Sequence, residues 1–377
     1  MNNALEDIRP IVESVFHHLH NNPEVSWKEV ETTNYLVDLL VNEGFDVTTF
    51  DDSTGLLVTL GNGKPCVGLR TDMDALWQEV NGVFQANHSC GHDAHMTMAV
   101  GTLLLLKKLA VPQQGTLKVL FQPAEEKGTG ALSFIDRGLV DDMDFLYGVH
   151  LRPIQELEQG YCSPAIIHGA AKLLNGKIHG IEAHAARPHL GINAIEVGAQ
   201  IVHAIQAIYL DPMESYSAKL TRFQAGGESG NIIPGNAEFS IDLRAQSNVA
   251  MDELISKVEN AILSIAALHQ ITIDYHIETE IVAAEVDATA VEILKEAIIH
   301  TVGEDFCVPP IVTPGGEDFH YYPVKRPTIK ATMLGLGCDL APGLHHPNMS
   351  FKHESIFTGI EVLAQTIINT FQKEMNE

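Results

Sequence analysis

The residues best suited to chemistry begin with Cys90-Gly91-His92-Asp93, inside Asn87 to His95, nine residues that hold a thiol, three imidazoles and a carboxylate. In locally extended chain, side chains two apart point to the same side, so Cys90 and His92 can converge on one metal ion while Gly91 lets the backbone approach. The same stretch also suits a polar loop capping the apolar helix expected over Met96 to Leu106, with Cys90 a small core residue. A second suspicious group is Glu125-Glu126. Adjacent side chains project in different directions, so one carboxylate can bind a metal while the other stays free as a general base. Pro123 and Gly128 suit a solvated turn equally well. His150 and His345-His346 complete the list. With Cys90, His92 and one of the acids they supply a Cys/His/Glu/His/His set, enough for two divalent ions if one ligand bridges. Such mixed donors fit zinc, manganese or cobalt better than calcium or magnesium.

Something must bring these scattered residues together. Apolar positions Ile8, Ile11, Val12, Val15, Phe16 and Leu19 recur at helical spacing, and a second helix runs from about Thr32 to Gly44. His17, His18 and His20 do not share one helical face, which fits a solvated helix end. Strand-like runs follow at 55–60, 65–70, 115–121 and 145–149, alternating with helices, the pattern of an α/β layered sheet. Ligands gather at the carboxyl ends of strands in such sheets. Thr71-Asp72-Met73-Asp74, Gln122 to Glu126 and His150 each follow one. Residues 172–283 change character to a β-α-β-β-α-β order, a two-layer α+β unit that can fold alone. The chain is thus expected to form a discontinuous catalytic domain, 1–171 plus 284–377, with an inserted domain at 172–283.

The totals agree with two domains, since 377 residues exceed what one core usually serves. Lys+Arg 23 against Asp+Glu 49 gives a net charge of -26, which repels phosphate backbones and anionic membrane surfaces. Neither a nucleic-acid nor a membrane partner is expected. Five widely spaced cysteines, Cys66, Cys90, Cys162, Cys307 and Cys338, make a disulfide framework improbable. No leader pattern or membrane-length apolar run is seen, and a cytoplasmic location is expected.

Nearly end to end, the chain resembles the dinuclear metal amidohydrolases that include hippurate hydrolases, bacterial N-acyl-L-amino acid amidohydrolases (aminoacylases) and plant indole-acetyl-amino acid hydrolases. The matching phrases are Leu19 to Glu24, Leu69 to Leu76, Cys90 to Asp93, Phe121 to Glu126, Gly148 to His150, Ala183 to His189, Gly230 to Gly235, Glu317 to Phe319 and Leu344 to Pro347. The resemblance implies metal ligands at Cys90, His92, Glu126, His150 and His345, with Glu125 as general base. His345 is the match, not His346, because the family's ligand directly follows the leucine. A metallopeptidase-type α/β/α catalytic domain is implied, with the inserted α+β domain as lid and, in dimeric relatives, dimerisation unit. His184 matches a histidine that helps stabilise the oxyanion in dimeric relatives, and Asn231 and Arg244 match positions near the substrate carboxylate. Asp93 fits a second carboxylate behind a ligand, or a helix cap.

The activity so implied is hydrolysis of the amide of N-acyl-L-amino acids by attack of a metal-bound water, with Glu125 taking its proton. A dipeptidase or aminopeptidase using the same two ions is the nearest alternative, and a non-catalytic metal- or ligand-binding relative the next. A cysteine hydrolase on Cys90 and His92 is disfavoured, since residues two apart on one segment do not easily reach attack geometry with an orienting third group. One departure stands out: relatives have a proline after Asp-Ala-Leu and a longer connection to Cys-Gly-His, whereas here Trp77 follows Leu76 and only Gln78 to Ser89 intervene.

Overall fold

A computed structural model describes residues Met1 to Glu374. The chain divides into two compact units: 1–167 with 285–312 and 318–377, and 168–284 with 313–317. Their elements follow the residue patterns closely, with informative exceptions.

The first unit is built on a seven-stranded sheet in the order Asp46–Phe50, Ser53–Asn62, Gly115–Gln122, Cys66–Asp72, Phe145–Pro153, Lys330–Leu340 and Cys162–Ser163. Its central pairs are parallel and its outer pairs antiparallel. Alternation along each strand gives two different faces. Val67, Leu69, Leu117, Val119 and Phe121 join the apolar cluster under the helices Asn2–Asn21, His92–Lys108 and Ser355–Glu374. Arg70, Asp72 and Gln122, of the opposite parity, are also buried but enter a polar network. The helix His92–Lys108 is buried from His92 through Leu106, and from Met96 to Leu106 its sequence is apolar on every side apart from Thr97 and Thr102.

The second unit is an antiparallel four-stranded sheet, Tyr216–Ala225, Asn236–Ala245, Ala170–His179 and Thr272–Ile281, packed by the helices Ala194–Gln206 and Asn248–His269. Close packing demands glycine at Gly176, where a Cβ would stand 2.2 Å from the Phe239 ring. Among the described residues, no helix is long and apolar enough to cross a membrane.

Three local expectations need correction. Cys90 and His92 do not lie on extended chain: Gly91, at φ 89°, turns the backbone left-handed and His92 opens a helix. The strand expected to end at Val149 continues to Pro153, so His150 lies within it. Finally, the short connection after Leu76 is a hairpin, Leu76–Val80 paired with Val83–Asn87, rather than loop. Asn81-Gly82 supply its positive-φ turn, at 52° and 85°.

Because the helix His92–Lys108 has no solvent-facing side over most of its length, truncation there leaves a void the structure cannot easily fill. Leu103→Ala is expected to destabilise the first unit by about 2–5 kcal/mol in urea denaturation.

Candidate metal centre

At the N-terminus of that helix, the sheet's carboxyl ends deliver their polar side chains. Donor atoms of Cys90, His92 and His150 lie within 4.8 Å of one another, as do those of Cys90, Glu126 and His345, and those of His92, Glu125 and Glu126. All six residues belong to the first unit. Cys90 Sγ is 3.6 Å from His150 Nε2, and His345 Nε2 is 3.3 Å from Glu126 Oε1. His92 Nε2 stands 3.9 Å from both Glu125 Oε2 and Glu126 Oε1.

These separations suit metal ions. Both ring nitrogens of His92 and Oε1 of Glu126 are buried without hydrogen-bond partners among the described residues. Such orphaned polar atoms are costly unless something else satisfies them. A 3.9 Å gap is too long for a hydrogen bond, yet two donors each about 2.1 Å from one ion can span it. His150 Nδ1 lies 2.7 Å from the Leu151 carbonyl and donates to it, which turns the Nε2 lone pair toward Cys90, the tautomer a ligand needs.

Electrostatics point the same way. Burial alone would disfavour a charged His92, but Asp72, Cys90 and Asp74 hold its imidazole well above the ordinary range. The adjoining Cys90 and Glu126 side chains push His345 up to about 10. Burial, followed by the Glu126 charge, pushes the Cys90 thiol up. The cluster is therefore electronegative enough to gather positive charge, and protons and metal ions compete for it.

Several histidines and acids near the centre have other roles. His95 Nε2 accepts from the Leu151 N–H at 3.0 Å, so its Nδ1 carries the proton and donates to Asp72 Oδ1 at 2.8 Å. Both nitrogens are thus used, and His95 buttresses the strand that carries His150. Asp72 is saturated by His95 and by Arg70 Nη1 at 2.8 Å. Arg70 in turn donates to Asp318 at 2.6 Å and to Gln122 at 2.9 Å, a fully buried network. His88 is buried with neither ring nitrogen hydrogen-bonded among the described residues, and burial holds its pKa down. His20 keeps the exposure expected of a helix end, its side chain 48% exposed, yet its Nδ1 is 2.6 Å from Asp93 Oδ2. Asp93, fully buried, is thereby committed to His20 and to the Ala94 N–H at 2.9 Å.

Two supporting residues carried no role in the sequence reading. Asp74 accepts the Glu125 N–H on Oδ1 and the Glu126 N–H on Oδ2, both at 3.1 Å, and the Ser26 hydroxyl at 2.6 Å. The same carboxylate is 3.4 Å from His92 Nδ1. Glu29, also buried, accepts the Ala124 N–H at 2.9 Å and the Thr54 hydroxyl at 2.7 Å. Ala124 is left-handed at φ 54°, an uncommon state for alanine that Glu29 helps to hold. The signal for Asp74 was its place two residues beyond Asp72. Glu29 looks in sequence like any acid at a helix start.

His184, Asn231 and Arg244 all lie in the second unit and are exposed. His184 lies on the short strand Ala183–His184, paired with Ile232–Ile233, and Asn231 just precedes that partner, its carbonyl accepting the Ala185 N–H at 2.9 Å. Arg244 donates to both carboxylate oxygens of Asp242, each at 3.0 Å.

A family model, peptidase family M20/M25/M40, matches residues 68–369. The chain belongs to this family. It is therefore a metal-dependent hydrolase of amide bonds, with the α/β architecture of the M20 enzymes. Among curated relatives, N-acetyldiaminopimelate deacetylase of Listeria innocua is 31% identical over 365 residues, covering 92% of this chain and 95% of its own. The IAA-amino acid hydrolase ILR1-like 4 of Arabidopsis thaliana is 31% identical over 270 residues, 68% of this chain and 61% of its own. Among solved structures, the Bacillus subtilis YXEP protein, a dinuclear metal binding peptidase of the M20 family, aligns with a TM-score of 0.80. The two share 24% identity over 97% of this chain and 99% of that one.

The Asp74 clamp makes a direct prediction for this M20 hydrolase. In Asp74→Asn one of the two carboxylate acceptors becomes a donor facing a backbone N–H. The Glu125–Glu126 turn should loosen, and kcat for amide hydrolysis should fall about 10–100-fold with little change in KM, as steady-state kinetics would record.

Proposed function

We propose that the protein hydrolyses the amide bond joining an acyl group to the nitrogen of an L-amino acid. The observation that carries this reading is the division between two adjacent carboxylates: Glu126 stands with Cys90 and His345 as well as with His92, while Glu125 reaches His92 and accepts the Asp318 N–H at 3.4 Å. A binding protein has no need of a second acid beside the one that joins the ligand cluster. The breadth of the match to a deacetylase of an N-acetylated amino acid supports the choice of substrate class.

In this reading Cys90, His92, Glu126, His150 and His345 hold two divalent ions, zinc, manganese or cobalt. When bound, they lower the pKa of a water toward about 7 and polarise the scissile carbonyl. Glu125 takes the proton of the attacking water and returns it to the leaving amine. A carbon–oxygen bond forms, the carbon–nitrogen bond breaks, and a carboxylic acid and an amino acid leave. Asp74 and Glu29 keep the turn that aims Glu125 from drifting. Residues 172–283 serve as lid and homodimerisation domain, with His184 assisting at the oxyanion and Asn231 and Arg244 at the substrate carboxylate. Since Arg244 already holds Asp242 with two bonds, a substrate must share or displace that pair. Five free cysteines fit a reducing cytoplasm.

Apoprotein prepared with a chelator should be inactive and should regain hydrolysis of N-acetyl or N-benzoyl amino acids when zinc, manganese or cobalt is restored. Preference for unblocked dipeptides would replace this reading with a dipeptidase. Glu125→Gln should lower kcat about 100-fold or more with the ions still bound. Retention of most activity would remove Glu125 from its role.

A further inference from the structure

The five donors are not secured alike. Cys90, His92 and His150 are at most 6% exposed, so packing on every side fixes them. The His345 side chain is 54% exposed. Packing cannot hold it, and its backbone is left-handed at φ 62°, a conformation that non-glycine residues keep only when their surroundings impose it.

Those surroundings come from the short hairpin and the residues just after it. The His345 N–H donates to the Ser89 carbonyl at 2.8 Å. Its own carbonyl accepts from Gln78 Nε2 at 3.1 Å. Asn87 Nδ2 donates both to Gln78 Oε1 at 2.7 Å and to the Pro347 carbonyl at 3.0 Å. Because every partner of Asn87 Nδ2 is an oxygen and Gln78 bridges a donor to an acceptor, the orientation of both amides is determined. The pairing Leu76 with Asn87 and Gln78 with Gln85 places Gln78 and Asn87 on one face of the hairpin. Trp77 and Phe84 belong to the opposite face and are 64% and 61% exposed.

We propose that Gln78 and Asn87 are positioning residues that set the affinity of one of the two ions by holding His345 in its left-handed turn. The inference rests on His345 being a ligand, as proposed above. The two amides clamp the carbonyls on either side of His346, and Ser89 ties the same loop to the residue before Cys90. One hairpin thus fixes the spacing between the Cys90 thiol and the exposed imidazole that shares its ion. The short connection between Leu76 and Cys90 is then a strut for the metal centre.

The test is a stepwise zinc titration of apoprotein by calorimetry, alongside the thermal melt of the same apoprotein. Gln78→Met keeps the length and flexibility of the side chain but cannot donate, and Asn87→Ala removes the bridge. Each should weaken one of the two binding steps about 10-fold or more, leave the other within twofold, and leave the apoprotein melt unchanged. Two unchanged steps, or a loss at both steps that follows a lowered melt, would overturn the proposal. His345→Ala separates the two readings. If it weakens one step where Gln78→Met does not, the strut fails and the ligand stands; if it weakens neither, the ligand assignment itself fails.

Discussion

Two consecutive carboxylates can divide their labour only if the backbone between them is immobile, and here a third carboxylate immobilises it. Asp74 takes the N–H groups of both Glu125 and Glu126, one on each oxygen, while standing within reach of His92. Glu29 holds the residue before them. The rest of the first unit is arranged around that knot. The strand Cys66–Asp72 leads the chain to Asp74, the strand Gly115–Gln122 leads to the glutamates, and the buried helix His92–Lys108 places His92 opposite both.

Negative charge on this scale inside a protein needs compensation. Asp72, Asp74, Asp93, Asp318 and Glu29 are all buried. Arg70 answers Asp72 and Asp318, His95 shares Asp72, and His20 answers Asp93. These pairings leave Cys90, Glu125 and Glu126 facing imidazoles that the surrounding charge drives toward protonation. Desolvated charge of one sign is stabilised best by a multivalent counter-charge in direct contact, which is what metal ions offer. The buttressing residues therefore matter to chemistry without meeting the substrate.

Much of this was readable in the sequence because two independent rules overlap. Residue type marked Cys90, His92, Glu125, Glu126, His150 and His345, and the habit of α/β sheets marked the strand ends near which Glu125, Glu126 and His150 lie. The helix–strand alternation similarly exposed the α/β sheet and the two-layer character beyond residue 170. What escaped were partners chosen across long stretches of chain. Asp93 to His20, Asp74 to the glutamate turn and Glu29 to Ala124 are pairings that tertiary packing makes, and a short acidic side chain looks the same in sequence whichever donor it meets. Local backbone was also opaque. Gly91 was read as permissive in an extended run but forms the turn that starts a helix, and Gln78 to Ser89 was read as a loop although it alternates and turns as a hairpin.

The order of the donors along the chain has a consequence for biogenesis. Cys90, His92, Glu126 and His150 precede the second unit, while His345 follows it. A ribosome therefore releases four of the proposed donors well before His345 is synthesised. The core of the first unit itself draws on the later segment, through Leu334, Leu336, Ile356, Ile360 and Leu363, so it is completed only after the inserted unit has been made. On the proposed ligand set, full coordination becomes available only once the strand Lys330–Leu340 has docked and the His345 turn has closed on Ser89. Tight metal retention is in this sense a late checkpoint, passed only by a chain whose two separated segments have found each other.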